Sequence, residues 1–227
     1  MVTRSSTSGP RSAQVPARYL AATDHLDFRH PAVAAFVERE TADAADEREA
    51  AVRLYYAVRD GLDYDVFGQD LSSGGVRASA ILERGQGFCL HKSILYAAAV
   101  RAVGVPSRLK VSEVRNHLSS PRLRTLVGGD LFVHWLTEVH LGGRWVKATP
   151  VFNKLLCRLY GIEPLEFDGV HDASAHPFKD GAEMRFLTDH GTYADLDYGH
   201  LIGVMRQRHP RMFELGLCTP RSVAVAA

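Results

Sequence analysis

Apolar positions recur every three or four residues through the first half of the chain. After Pro106 they recur every second residue. Residues 41–60 read as a helix: Thr41 caps it, Asp43, Asp46 and Glu47 crowd the first turns, and Val52, Tyr55, Tyr56 and Arg59 stack on one side before Gly61 stops it. Residues 62–67 form a short extended piece. Residues 68–78, with Ser72, Ser73, Gly74 and Gly75, form a loop, and a short helix starts at Ser79. A longer helix runs from Phe88 to Val103, with Ile94, Leu95, Ala98, Ala99 and Ala102 at spacings of three and four, closed by Gly104 and Pro106. Its small alanines imply close approach by other elements, so it is expected to be central and buried.

Residues 107–116 alternate, Leu109, Val111 and Val114 being separated by Arg108, Lys110 and Arg115. Residues 131–141 are a long strand, Gly142-Gly143 a two-residue hairpin, and 144–149 the return strand. Beyond Pro150 the chain reads as irregular, broken by Gly161, Pro164, Gly169, Pro177 and Gly181, until a final helix over His200–His209. Helices first and antiparallel strands second predict an α+β fold with the helices on one side of a sheet.

Composition narrows the function classes. The chain has 227 residues, 46% hydrophobic and 23% charged, enough for one domain with a real core. Lys plus Arg is 27 against 26 for Asp plus Glu, and no basic run is dense enough for nucleic acid. No stretch approaches the ~20 apolar residues of a membrane span. Three cysteines, Cys89, Cys157 and Cys218, argue against a disulfide framework and for a reducing cytoplasm. Residues 1–16, rich in Ser, Thr and Pro, read as a disordered leader, 17–218 as a single domain with a core at about 45–155 and an extension over 156–218, and 219–227 as a flexible tail.

The chemistry centres on Gly85-Gln86-Gly87-Phe88-Cys89. A glycine-rich turn delivers Cys89 to the first turn of a buried helix, where about half a positive charge and free N–H groups favour a thiolate and can hold an oxyanion. Gly85 and Gly87 leave room for a substrate, and Gln86 is a possible oxyanion donor or a plain turn residue. A thiol nucleophile needs a base, and His134, on the strand that follows, is the candidate among 11 histidines. A metal shared by His134, Glu138 and His140 is excluded by strand geometry. At ~3.3 Å per residue the two histidines lie ~20 Å apart. No metal and no cofactor is expected.

These residues carry a family resemblance. GQGFC with its alanine-rich helix and RAVGVPSR resembles the nucleophile segment of the transglutaminase-like superfamily, related to papain-fold thiol enzymes. HWLTEVHLGGRWVKATP resembles the histidine strand and hairpin of that family, and LYYAVRDGLDYDV the elements before the core. The resemblance covers roughly residues 45–155. It implies a papain-like core and a Cys-His-Asp triad that transfers or hydrolyses acyl groups through a thioester. The substrate would be a peptide, protein or small acyl compound.

One residue departs from the family pattern. Thr149-Pro150 stands where the family has Asp-Pro. If Leu141 pairs with Arg144, then Leu136 faces Thr149, His134 faces Val151 and Phe132 faces Asn153, all on one side. Thr149 and Asn153 are then the diagonal neighbours of His134, and either is a candidate third member. Asp130 and Asp168 are alternatives from loops. Phe88 and Trp145, the latter on the His134 side by parity, are candidate cleft walls. Loss of the carboxylate also leaves open a weakened or inactive binding module on the same fold.

Overall fold

The computed structural model describes residues 15–115, 120–174 and 185–214. The expected leader falls almost wholly outside the described residues, and the tail and Cys218 wholly so. After a single 3-10 turn at Ala17–Tyr19 come helices α1 (Pro31–Thr41) and α2 (Glu47–Gly61), strand β1 (Asp63–Tyr64), helix α3 (Ala78–Arg84), strand β2 (Gln86–Gly87) and helix α4 (Cys89–Ala102). Strand β3 (Ser107–Arg115), helix α5 (Pro121–Val127) and the hairpin β4 (Leu131–Leu141) and β5 (Arg144–Ala148) follow. Helix α6 (Lys154–Tyr160), strand β6 (Arg185–Tyr193) and helices α7 (Tyr198–Arg208) and α8 (Pro210–Glu214) complete the fold.

The main sheet has the order β5-β4-β3-β6 with every neighbour antiparallel. Helix α4 lies against β4 and β3, and α1, α2 and α3 pack around it. It is enclosed on all sides: even His91, Lys92 and Ser93 are fully buried. A helix buried all round loses the apolar stripe that marks a surface helix. The inner sheet face is Leu109, Val111, Trp135, Val139, Val146 and Ala148, each with no exposed surface. This is the expected α+β core, a central helix carrying Cys89 on an antiparallel sheet carrying His134. The helices are not all on one side, however. Helices α7 and α8 reach the sheet at Phe132, on the face opposite Trp135, where His209 sits 6.3 Å from the Phe132 ring.

Local chemistry explains where the sequence reading slipped. Thr41 ends α1 instead of capping α2, its hydroxyl donating to the Val37 carbonyl at 2.7 Å. The cap of α2 is Asp46, which accepts from the Glu49 N–H at 2.8 Å, while the Glu49 carboxylate accepts from the Ala45 N–H. Helix α1 went unread although Pro31 stands at its first position and Val33, Phe36 and Val37 form its buried face. Past Pro150 the chain is less irregular than expected, holding α6 and the edge strand β6. The last helix runs from Tyr198 to Arg208 and restarts at Pro210, since proline suits a helix start. Gly142 and Gly143, with φ of 58° and 80°, make the expected tight hairpin.

Candidate active site

Cys89 is set by what precedes it. Gly85, at φ 69°, closes α3 in the left-handed conformation, and Gln86-Gly87 then pairs in parallel with Asp63-Tyr64. A Cβ on Gly87 would stand 2.5 Å from the Cβ of His91. The glycine therefore lets the first turn of α4 close against β2, and it serves packing, not substrate approach. Gln86 shares that strand pair and does not line the cleft described below.

The Cys89 thiol donates weakly to the Val133 carbonyl at 3.9 Å and is 7% exposed. Burial pushes its pKa up to about 11, while backbone N–H groups of Trp135, Leu90 and Cys89 itself pull the other way. This corrects the expectation of a thiolate at rest. The helix N-terminus does supply donors, but desolvation outweighs them, so the resting thiol is neutral near pH 7.

The sulfur occupies a gap in the sheet. Thr137, Val139 and Leu141 pair with Ala148, Val146 and Arg144, the expected register. In antiparallel pairing the N–H and C=O of alternate residues point to the same neighbour, so Val133 and Trp135 also present theirs to the β5 side. Strand β5 ends at Ala148, however. Pro150 has no N–H to offer, and the chain folds back with the Val151 N–H on the Thr149 carbonyl at 2.8 Å. The freed edge of β4 is satisfied by side chains. The Val133 N–H donates to His209 Nε2 at 3.0 Å, and the Val133 carbonyl and Trp135 N–H face Cys89. His209 Nδ1 donates in turn to the Val127 carbonyl at 2.9 Å, which fixes its tautomer.

His134 projects from the other face of β4, 6% exposed, with the Phe186 ring 6.2 Å away and Ser112 opposite it on β3. A narrow cleft lies at this end of the strand, and Cys89, His134, Thr149 and Phe88 all line it. Thr149 is 2% exposed. Its carbonyl accepts from the Tyr55 hydroxyl at 3.0 Å, and its own hydroxyl oxygen has no hydrogen-bond partner among the described residues.

The remaining candidates lie elsewhere. Asn153 caps α6, accepting from the Leu156 N–H at 2.8 Å, because the chain has left the sheet before it could sit diagonal to His134. Trp145 pairs with His140 and stacks under Arg108 at 4.1 Å, six residues along the hairpin from His134, too far to wall the cleft. Asp130 pairs with Arg115 at 3.1 Å and Asp168 with His171 at 2.6 Å, neither of them in the cleft. Among the described residues no group of three or more His, Cys, Asp or Glu side chains is placed to hold a metal ion.

Reading the sequence missed His209, Met205 and Met212, which α7 and α8 bring into the cleft. The one available signal was His209-Pro210, a histidine at a helix break. Nothing local tied it to a strand 76 residues earlier.

A family model described as the transglutaminase-like superfamily matches residues 34–150. No curated protein matches the chain. Two solved structures are similar. One, named a putative cysteine protease from Cytophaga hutchinsonii, shares 14% identity over 58% of this chain with a TM-score of 0.46. The other, named a putative protease from Parabacteroides distasonis, shares 15% identity over 59% with a TM-score of 0.38. The match spans 40% of the first of those chains and 26% of the second.

Proposed function

This chain belongs to the transglutaminase-like superfamily, and from that premise we propose that it is a thiol enzyme acting on an amide or thioester carbonyl. Cys89 attacks the carbonyl and becomes a thioester as the amine or thiol leaves. His134 takes the thiol proton and delivers it to the leaving group. Water or an amine then releases the acyl group. The observation that carries this reading is that Cys89 and His134 open onto one cleft at the freed edge of β4.

Because burial holds the thiol neutral, proton transfer accompanies attack instead of preceding it. The Trp135, Leu90 and Cys89 N–H groups favour the sulfur as its charge develops, and the Cys89 N–H is the candidate oxyanion donor. Thr149 takes the third position, where its hydroxyl can orient an imidazole but brings no charge to stabilise imidazolium. The substrate is a peptide, protein or small acyl compound. Two free thiols, Cys89 and Cys157, suit a reducing compartment, and we place the protein in the cytoplasm. No helix among the described residues is long and apolar enough to cross a membrane.

The test is to trap the acyl-enzyme with an activated ester and read it by intact mass. A single adduct on Cys89 is expected, with His134→Ala slowing its formation on the order of 10²–10⁴-fold. An adduct that forms equally fast without His134 contradicts the proposal. The uncharged Thr149 favours a second reading, a binding module that retains the fold. Thr149→Asp separates the two: increased turnover, by up to about 10⁴-fold, supports the enzyme, and a cleft that stays inert supports the module.

A further inference from the structure

We infer that this cleft seats an uncharged apolar acyl chain, with Met205 and Met212 setting the length it accepts. The inference deepens the reading of Cys89 as the nucleophile and rests on it. Phe88, Phe132, Val151 and Phe152 surround the approach to the sulfur, and α7 and α8 add Met205 and Met212. Among the described residues no Asp, Glu, Lys or Arg side chain lines the cleft. His209 brings no charge either. Both its ring nitrogens are engaged with backbone groups, and burial lowers its pKa below the ordinary 6.5.

The contrast lies just across the wall made by Phe132, Val133 and His209. A second cavity there has Glu113, Asp130 and Arg208 in its lining. Charge is therefore available beside the cleft, yet among the described residues no charged side chain lines it. A carboxylate or ammonium on the acyl chain would be desolvated there without a counter-charge. An alkyl or aromatic chain would exchange water for apolar walls. Met205 and Met212 make the cleft's lining adaptable, since their unbranched side chains repack around ligands of different shape.

The test uses 4-nitrophenyl esters of acetate, hexanoate, decanoate, succinate and N-acetylphenylalanine with the whole protein. In each reaction the Cys89 S–C bond forms and the ester C–O bond breaks. The thiol proton passes to His134, and 4-nitrophenolate leaves and is read by absorbance. Full burial of four added methylenes favours hexanoyl over acetyl by up to roughly 100-fold, and succinyl should react no faster than acetyl. Hexanoyl ahead of N-acetylphenylalanyl assigns an aliphatic donor, and the reverse order assigns an apolar residue of a peptide. Either order supports the apolar seat. Acetyl and hexanoyl reacting alike, or succinyl leading, overturns it.

Met212→Ala should move the preference toward decanoyl. A thermal melt shows whether the variant is folded, and Met205→Ala provides a second reading of the same wall. Failure of the nucleophile reading is distinguished by calorimetry with hexanamide and succinamate on the unmodified protein. Binding of hexanamide alone, with Cys89 unreactive, removes the catalytic reading and keeps the seat. No binding of hexanamide overturns the seat itself.

Discussion

The two halves of strand β4 belong to one continuous strand and end in different environments. From Thr137 to Val139 the strand is paired on both sides, to β3 and to β5, and its pairing to β5 continues to Leu141. From Leu131 to Leu136 it is paired to β3 only, and its other edge is met by Cys89 and His209. The difference originates on the neighbouring strand, at Thr149-Pro150. Where pairing continues, His140 and Trp145 pack against each other at 5.2 Å and serve the hairpin. Where it stops, backbone groups become available to a sulfur and a cleft opens. The site is thus a consequence of an interrupted sheet.

The largest expected effect comes from breaking the substitute for the missing strand. His209→Ala strands the buried Val133 N–H and leaves a cavity. It should cost about 2–4 kcal/mol in a denaturant melt and slow acylation of Cys89. A loss under 1 kcal/mol would mean that the β4 edge does not depend on this side chain. Next is acid sensitivity on the packed flank of α4. His91 is fully buried and its pKa falls to about 4, the main cause being desolvation. Since the folded pKa lies below the unfolded value near 6.5, His91 leaves stability intact above pH 6.5. That stability is lost as pH falls toward 4, by up to about 3 kcal/mol. His91→Leu should flatten this slope in chemical melts between pH 7 and 4, and an unchanged slope would assign it to other groups.

Gly87→Ala is expected to cost roughly 1–3 kcal/mol by overpacking. Its Cβ must displace His91, so the clash acts two residues from Cys89, and a cooler melt together with slower thiol labelling is the predicted pair. The smallest effect belongs to the hairpin end. Trp145→Ala removes contacts with Arg108, His140 and Tyr19 and should lower stability by about 1 kcal/mol, leaving the acylation rate within roughly twofold. A large fall in rate would show that the two halves are coupled after all.

Much of this was legible in the sequence, for identifiable reasons. The long strand at residues 131–141 and the paired glycines specified strand, turn and register together, because a two-residue hairpin fixes which residues face each other. Gly85, Gly87 and Gly104 bracketed α4 well enough to place Cys89 at its first turn. The same reasoning failed at Asn153 because it extended the ladder through Pro150, although a proline that ends pairing changes the direction of every residue after it. The thiol was misjudged because a helix N-terminus is visible in a sequence and desolvation is not. Burial in the packed core decides it. Met205, Met212 and His209 were unreadable as site residues, since their place depends on a return of the chain after β6 that no local pattern encodes.

The central claim is that Cys89 at the interrupted edge is the reactive thiol and that His134 is its base. Site-resolved mass spectrometry of iodoacetamide labelling in the native protein tests both at once. Although burial holds its thiol neutral at rest, His134 assistance is expected to let Cys89 be modified faster than the buried Cys157, and His134→Ala to slow that modification. Labelling of Cys89 no faster than Cys157, or a Cys89 rate indifferent to His134, would contradict it.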